Sequence, residues 1–355
     1  MYDEVYIGGG LSHLIRLWLG AGESSRRILV LDDGSAEDRA MSFWLPEELL
    51  WDFPYYRAWS RVEFRSGQKS ERRVLSRFIY AYVQHVQICN KLKNHVRQKY
   101  PHIQFVQAQV ESVRFHKKQF SLQTTHGEFK ARRVYDSVGL SRNRKELYSI
   151  AGIEAIVKTS RPIFLVSHVV MYDVIDPSDK PFWYLLPLDS QRAVIESACF
   201  LEKGSEFRGI FTKDKLYEYL FVRYGVERHE VEIIQFSIKK VPIYEVMVNS
   251  HTRYQFSGAV NGLVSPMTGF GISRMIEHAR GKRFHRSMEL RFGVAFLKMQ
   301  NTHPEGFHDF LYAFFRKFSG DQVVRFMDGM FDVKTLWCVG IKVGFRRVWR
   351  LMRFL

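Results

Sequence analysis

Cysteine is scarce in this chain: 3 in 355 residues, at Cys89, Cys199 and Cys338, with no paired spacing. That excludes a disulfide framework and a cysteine-based zinc site, so no metal is expected, and it points to a reducing compartment. Long apolar runs are missing too. No stretch reaches the roughly 18 residues that a spanning helix needs. Neither an internal repeat nor a low-complexity linker is present. No cleavable leader precedes the first strand, which starts within the first few residues; the expectation is a cytoplasmic protein. Acidic residues are in deficit, 37 against 53 basic, for a net charge of +16. Such a balance calls for an anionic partner, either nucleic acid or a membrane surface. The sequence carries no recognition-helix, zinc-finger or RNA-binding signature, so nucleic acid is not expected.

What is present starts with 46% hydrophobic residues, enough for a large core or two domains. Glu4 to Ile7 reads as a short buried strand. Gly8-Gly9-Gly10 follows, and Leu14, Ile15, Leu17, Trp18 and Leu19 read as a helix. A second strand, Arg27 to Leu31, ends at Asp32. This is the order of a dinucleotide-binding unit. Bare glycine backbone at Gly8 and Gly10 approaches a pyrophosphate, the helix N-terminus meets its charge, and Asp32 accepts a ribose hydroxyl; Asp33, one residue on, is the alternative acceptor. His13 stands where the third fingerprint glycine belongs, so the helix must either stand off or turn the imidazole aside. A second glycine-rich element, Gly258 to Arg274, also follows a strand-like run and opens a helix. Two such elements so far apart suggest one FAD site assembled from distant segments, with Gly262, Thr268 and Gly269 as its expected residues in the later one.

The order of elements predicts an α/β chain: a Rossmann-like FAD-binding domain with an inserted strand-rich (α+β) substrate domain and a helical C-terminal region. The expected division is 1–60, 85–150 and 250–285 for the FAD domain, 61–84 and 151–249 for the substrate domain, and 286–355 for the helical region. Leu75 to Tyr100 reads as one long helix, Pro162 to Ala198 as strands, Asp214 to Tyr224 as a helix and Ile233 to Val241 as extended. Phe310, Leu311, Phe314 and Phe315 form a helical stripe whose default place is the core. Basic residues cluster in Arg61–Arg77, Arg280–Arg291 and the tail. In the tail, Lys342, Arg346, Arg350 and Arg353 share one helical face beside Phe345, Val348, Trp349, Met352 and Leu355. That is the pattern of a helix lying in an anionic membrane interface.

Several segments, in order, resemble the lycopene cyclase family of FAD-dependent carotenoid enzymes across nearly the whole chain. They are Ile7 to Leu11, Ala40 to Trp44, Tyr135 to Gly139, Phe182 to Leu188 followed by Arg192 to Ser197, and Ser265 to Phe270. The chain departs from the family pattern at His13, Ala40-Met41, Val138, Ser197-Ala198, Ser265 and Phe270. The resemblance implies redox-neutral cyclisation of the linear ends of lycopene, or a similar acyclic polyene, into ionone-type rings. It implies reduced FAD, with NAD(P)H as electron source, a hydrophobic polyene substrate, and a peripheral position on the inner face of the membrane.

Glu196 carries the predicted chemistry. It sits among Ala193, Val194, Ile195 and Phe200 on a strand, where desolvation raises a carboxyl pKa. A carboxyl that stays protonated can donate to an alkene. Trp44, Trp183 and Tyr184 are the expected pocket aromatics, offering π faces to a developing cation. Two alternatives stay open: an FAD-dependent monooxygenase or halogenase on the same fold, and a redirected flavoprotein of the lycopene cyclase type. The sequence leaves ring type and oligomeric state open.

Overall fold

The structure is a computed structural model that describes residues 1–20, 25–35, 40–49, 53–140, 145–205, 210–245, 251–281, 286–329, 338–339, 341–344 and 353, with the side chains of 286 and 287 left aside. Strands β1 (Tyr2–Ile7) and β2 (Ile28–Asp32) are almost wholly buried along their length, as parallel strands covered on both faces must be. Between them lies α1 (Leu11–Trp18), buried along most of its length. The parallel strands β2 and β1 are flanked by β8 (Gln104–Gln107) on one side and β11 (Gly127–Asp136) on the other. The end of β11 also pairs in parallel with β17 (Tyr254–Phe256), while its start joins an antiparallel meander of β9 (Val110–His116) and β10 (Gln119–Thr124). Residues far apart in sequence thus complete one sheet.

A second seven-stranded sheet runs β16 (Val231–Tyr244), β12 (Glu146–Thr159), β15 (Arg192–Glu202), β14 (Phe182–Pro187), β13 (Val169–Val174), β5 (Arg61–Ser66), β6 (Lys69–Val74). Its strands alternate between two cores. One face packs Ala193, Ile195, Cys199 and Trp183 against α3 (Lys213–Tyr224). The other turns Val194, Phe200, Phe182 and Leu186 toward α5 (Arg286–Thr302), α6 (Pro304–Lys317) and α7 (Gly320–Met327). The Phe310, Leu311, Phe314 and Phe315 stripe of α6 is core, as its spacing suggests.

The stretch read as one long helix divides in two. Phe78–Gln84 is β7, and only His85–Lys99 is helix, α2. Aromatic and β-branched residues fill Phe78 to Val83, and tertiary pairing takes them: β7 is the centre of a three-stranded sheet between β3 (Ala40–Pro46) and β4 (Arg57–Trp59). The expected domain division shifts accordingly. β5 and β6 join the substrate sheet, β7 does not, and β12 enters that sheet from Glu146 rather than 151. Among the described residues no helix is long and apolar enough to cross a membrane. Phe345, Arg346, Val348, Trp349, Arg350, Met352 and Leu355 of the amphipathic tail lie outside the described residues; Lys342 and Arg353 are exposed.

Candidate active site

A cavity of about 690 Å³ lies where the two large sheets meet. Its walls include the turn into α1 (Gly10, Leu11, Ser12), β3 (Ala40 to Trp44), the substrate sheet (Glu154, Tyr184, Glu196), the glycine-rich loop before α4 (Ile272–Ala279), and Phe307, Leu311 and Phe315 of α6. One end is a backbone cradle and the other is an aromatic chamber.

The cradle is built from helix starts. Gly10 caps α1 and Gly271 caps α4, neither with a side chain, so both N-termini keep donor groups free at the cavity. At Gly9 a Cβ would fall 2.2 Å from Asp32 Oδ2 and displace that carboxylate, whereas at Gly10 the space is open. Asp32 accepts the Gly9 and Gly34 N–H groups and so braces the turn from behind rather than lining the cavity. Gly8 has φ +93° and sits against Ser137. His13 resolves by reorientation: its Nδ1 donates to the Gly8 carbonyl at 2.7 Å and the ring stands edge-on to Tyr6. Full burial lowers its pKa to about 4, so it is neutral. Gly262 ends the short 3-10 turn at Gly258–Asn261 in a left-handed conformation. Thr268 and Gly269 line the cavity, and the loop is tied down by the Gly269 N–H to Ser265 carbonyl bond (2.8 Å) and by Ser265 Oγ to the Met327 carbonyl (3.0 Å). A glycine-bare turn, two uncapped helix N-termini and an adjoining cavity fit an anionic dinucleotide such as FAD.

Burial fixes the chemistry of the other end. On β15 the even-numbered residues face the chamber, so Glu196 lies on its wall beside Val194, Ala198 and Phe200. Tyr184 of β14 stands directly across from it. Trp44 is buried at the chamber edge, packed on Tyr80 and edge-on to Phe270 at 6.2 Å. Trp183 is a correction. It points to the opposite face of the sheet and stacks on Tyr219 at 4.5 Å, because neighbours on a strand alternate sides. Tyr172, unremarked in the sequence, takes its place: it lines the chamber with Phe182 and Phe315 at 5.3 and 5.2 Å. Its hydroxyl donates to His308 Nδ1, whose Nε2 donates to the Asp179 carbonyl at 2.7 Å. Burial lowers the His308 pKa to about 4, which keeps that ring neutral.

Glu196 has a partner that sequence reading missed. Glu154 on β12 is paired with it across the antiparallel ladder. Glu154 is itself ion-paired to Lys239 of β16, whose ammonium also donates to the Ala40 carbonyl at 3.1 Å. Desolvation first, then the nearby Glu154 charge, push the Glu196 pKa up to about 8; Lys239 opposes them. The signal for Glu154 was available: like Glu196, it is a lone acid inside an apolar strand, Ile153-Glu154-Ala155-Ile156. Behind the cradle, buried Arg274 binds Glu289 Oε2 at 2.6 Å and the Asp328 carbonyl at 2.8 Å, clamping α4 to the C-terminal helices.

Comparisons with known proteins agree with this architecture. The chain is similar to a flavoprotein/dehydrogenase from Cytophaga hutchinsonii, with a TM-score of 0.66 at 12% identity over 98% of each chain. It is similar to a geranylgeranyl bacteriochlorophyll reductase-like protein from Thermoplasma acidophilum, with a TM-score of 0.60 at 12% identity, covering 100% of this chain and 99% of that one. It also resembles a p-nitrophenol 4-monooxygenase from Pseudomonas putida DLL-E4, with a TM-score of 0.59 at 15% identity, over 100% and 97%. These likenesses give a mixed α/β fold of the FAD-binding Rossmann type. No curated protein sequence matches the chain significantly. A family does match, over residues 54–284, which hold β4 to β17, the acid strand and the glycine-rich loop: the chain belongs to the lycopene cyclase protein family.

Proposed function

We propose that this protein is a flavin-dependent, redox-neutral cyclase that closes the linear ends of lycopene, or a similar acyclic polyene, into ionone-type rings in carotenoid biosynthesis. The observation that carries the reading is Glu196: a carboxyl with a raised pKa on the wall of an aromatic chamber that is continuous with the dinucleotide cradle. An acid titrating near 8 is neutral at physiological pH and so has a proton to give.

Glu196 donates its proton to a terminal double bond, leaving a tertiary cation. Ring closure moves the charge onto the ring, and loss of a ring proton restores a double bond. Atoms and electrons balance without an oxidant. Tyr184, Trp44 and Tyr172 exclude water and offer π faces to the cation. Gly8 to Ser12 and Thr268 to Gly271 would hold the FAD. Asp32, whose two oxygens accept the Gly9 and Gly34 N–H groups, would hold that turn in shape for it. Reduced FAD, when bound, supplies an electron-rich ring beside the developing positive charge; NAD(P)H is the proposed reductant. The +16 charge and the basic amphipathic tail suit an anionic membrane on the cytoplasmic side, the phase in which such a substrate dissolves.

The test is anaerobic incubation with liposomal lycopene, FAD and a reductant, products resolved by HPLC. Cyclic isomers of unchanged mass are expected. A product that forms only with oxygen and gains oxygen or halogen would replace this reading with an oxygenase or halogenase. Sedimentation with anionic vesicles, but not neutral ones, is expected; truncation before Phe345 should reduce it.

A further inference from the structure

Glu196 does not stand alone. Glu154 lies directly opposite it on the neighbouring antiparallel strand, at the register Glu154 with Glu196 and Glu154 with Ser237. Directly opposed residues on one face have Cβ atoms about 4.5–5.5 Å apart, so two carboxylates there repel. Such a pair relieves itself by keeping one proton. Lys239 decides which acid keeps it. Burial raises the Glu154 pKa as well, but the Lys239 ammonium meets Glu154 Oε2, is held in place by the Ala40 carbonyl and pulls against that rise, so of the two acids Glu154 is the one favoured as the anion. Glu154 is 2% exposed, and a hydrogen bond between the two carboxyl groups favours the charged form of Glu154 and the neutral form of Glu196. The remaining proton belongs to Glu196, the member that faces the chamber.

We propose that Glu154, anchored by Lys239, is a positioning residue that keeps the proton on Glu196 between turnovers and so sets the upper pH limit of this acid. The proposal rests on the cyclase reading only for its kinetic readout. The other groups facing Glu196 are phenols, half-buried Tyr184 from β14 and buried Tyr80 from β7, both held neutral, with the Tyr80 hydroxyl bonded to Ser42 Oγ at 2.6 Å. The next basic residue of β16, Lys240, is spent on Glu146 at 2.8 Å. When Glu196 gives its proton to the alkene, the Glu O–H bond breaks and a C–H bond forms, leaving two carboxylates beside one ammonium. That surplus of negative charge draws a proton back from the ring cation. A C–H bond breaks, the O–H bond re-forms on the pair, and the site returns to its starting state.

The experiment uses full-length, flavin-loaded protein as wild type, Glu154→Gln, Lys239→Met and the double variant. Two quantities are followed against pH: the carbonyl infrared band of protonated glutamate, with ¹³C-labelled glutamate for assignment, and cyclisation rate. Removing the Glu154 charge should move the loss of the Glu196 proton to lower pH by about one unit or more, and removing Lys239 should move it to higher pH by a similar amount. The double variant should fall between the singles. A merely structural role would lower the rate at every pH and leave these midpoints in place. Midpoints that do not move, or that move in the same direction in both single variants, overturn the proposal. The infrared midpoints decide this even if wild type cyclises nothing, an outcome that would sink the cyclase reading alone. Should Glu154→Gln fail to fold, Glu154→Ser removes the same charge in a smaller side chain and must give the same downward shift; an unmoved or upward midpoint refutes the proposal.

Discussion

At the scale of single residues, a proton must be present and aimed. Glu196→Gln keeps the size of the side chain and removes the proton. It should cost about 100-fold or more in cyclisation rate, the span typical of general acids, while the flavin absorbance of the purified protein stays unchanged. Retained turnover would remove Glu196 from the mechanism. Wild-type rate should be flat at lower pH and fall as pH rises through about 8, because only the neutral acid donates. Glu196 was legible in the sequence, since an acid embedded in Ala193 to Phe200 has no comfortable charged state. Glu154 carries the same signal but became part of the site only through register. The sequence cannot say which acid on another strand lies across from it. His13, an apparent flaw in the glycine fingerprint, is accommodated by one hydrogen bond to the Gly8 carbonyl.

At the scale of elements, the alternation of strands sorts the aromatics. Trp183 and Tyr184 are neighbours in sequence and occupy opposite faces. Trp183→Ala should therefore cost about 3–5 kcal/mol of stability by opening a void against Tyr219 of α3. The same change should leave product identity alone, as urea melts and product analysis would reveal. Tyr184→Ala should alter turnover more than stability. The turn from β1 to α1 gives a second test. An alanine Cβ at Gly9 would collide with Asp32, which accepts the Gly9 N–H. Since a hydrogen bond to a charged group contributes about 1.5–3 kcal/mol, Gly9→Ala should weaken FAD binding at least about tenfold in a fluorescence titration. Unaltered affinity would refute the bracing role of Asp32. Phe78–Gln84 marks where local pattern misleads. Its apolar run suits either a helix or a buried strand, and pairing with β3 and β4 settles it.

At the scale of the molecule, the C-terminal helices hold the glycine-rich loop in place. Ser265 reaches the Met327 carbonyl, and buried Arg274 reaches Glu289 and Asp328. Burial raises the Asp328 pKa to about 7, against the pull of Ser273 and Arg274. The folded state therefore binds a proton that the unfolded chain releases near pH 4, so this contribution is full at low pH and is lost as pH rises toward 7. Asp328→Asn keeps the shape without the proton. It should flatten the fall of melting temperature between about pH 4 and 7 relative to wild type. An unchanged profile would mean that Asp328 does not titrate in that window.

The sequence by itself determined the parts whose physics is local. The strand–glycine–helix turn at Gly8 to Leu11, the loop at Ser265 to Gly271, the acid set in the apolar strand at Glu196 and the apolar stripe of α6 each follow from spacing and solvation over a few residues. It also determined the family resemblance, because those parts occur in a characteristic order. Tertiary structure decided what long-range pairing controls. It placed β17 beside β11, set Glu154 against Glu196 with Lys239 behind it, turned Trp183 away and Tyr172 inward, and made a strand of Phe78–Gln84. In each case the deciding contact joins residues that no local pattern connects, and its energy exists only once the sheets have formed.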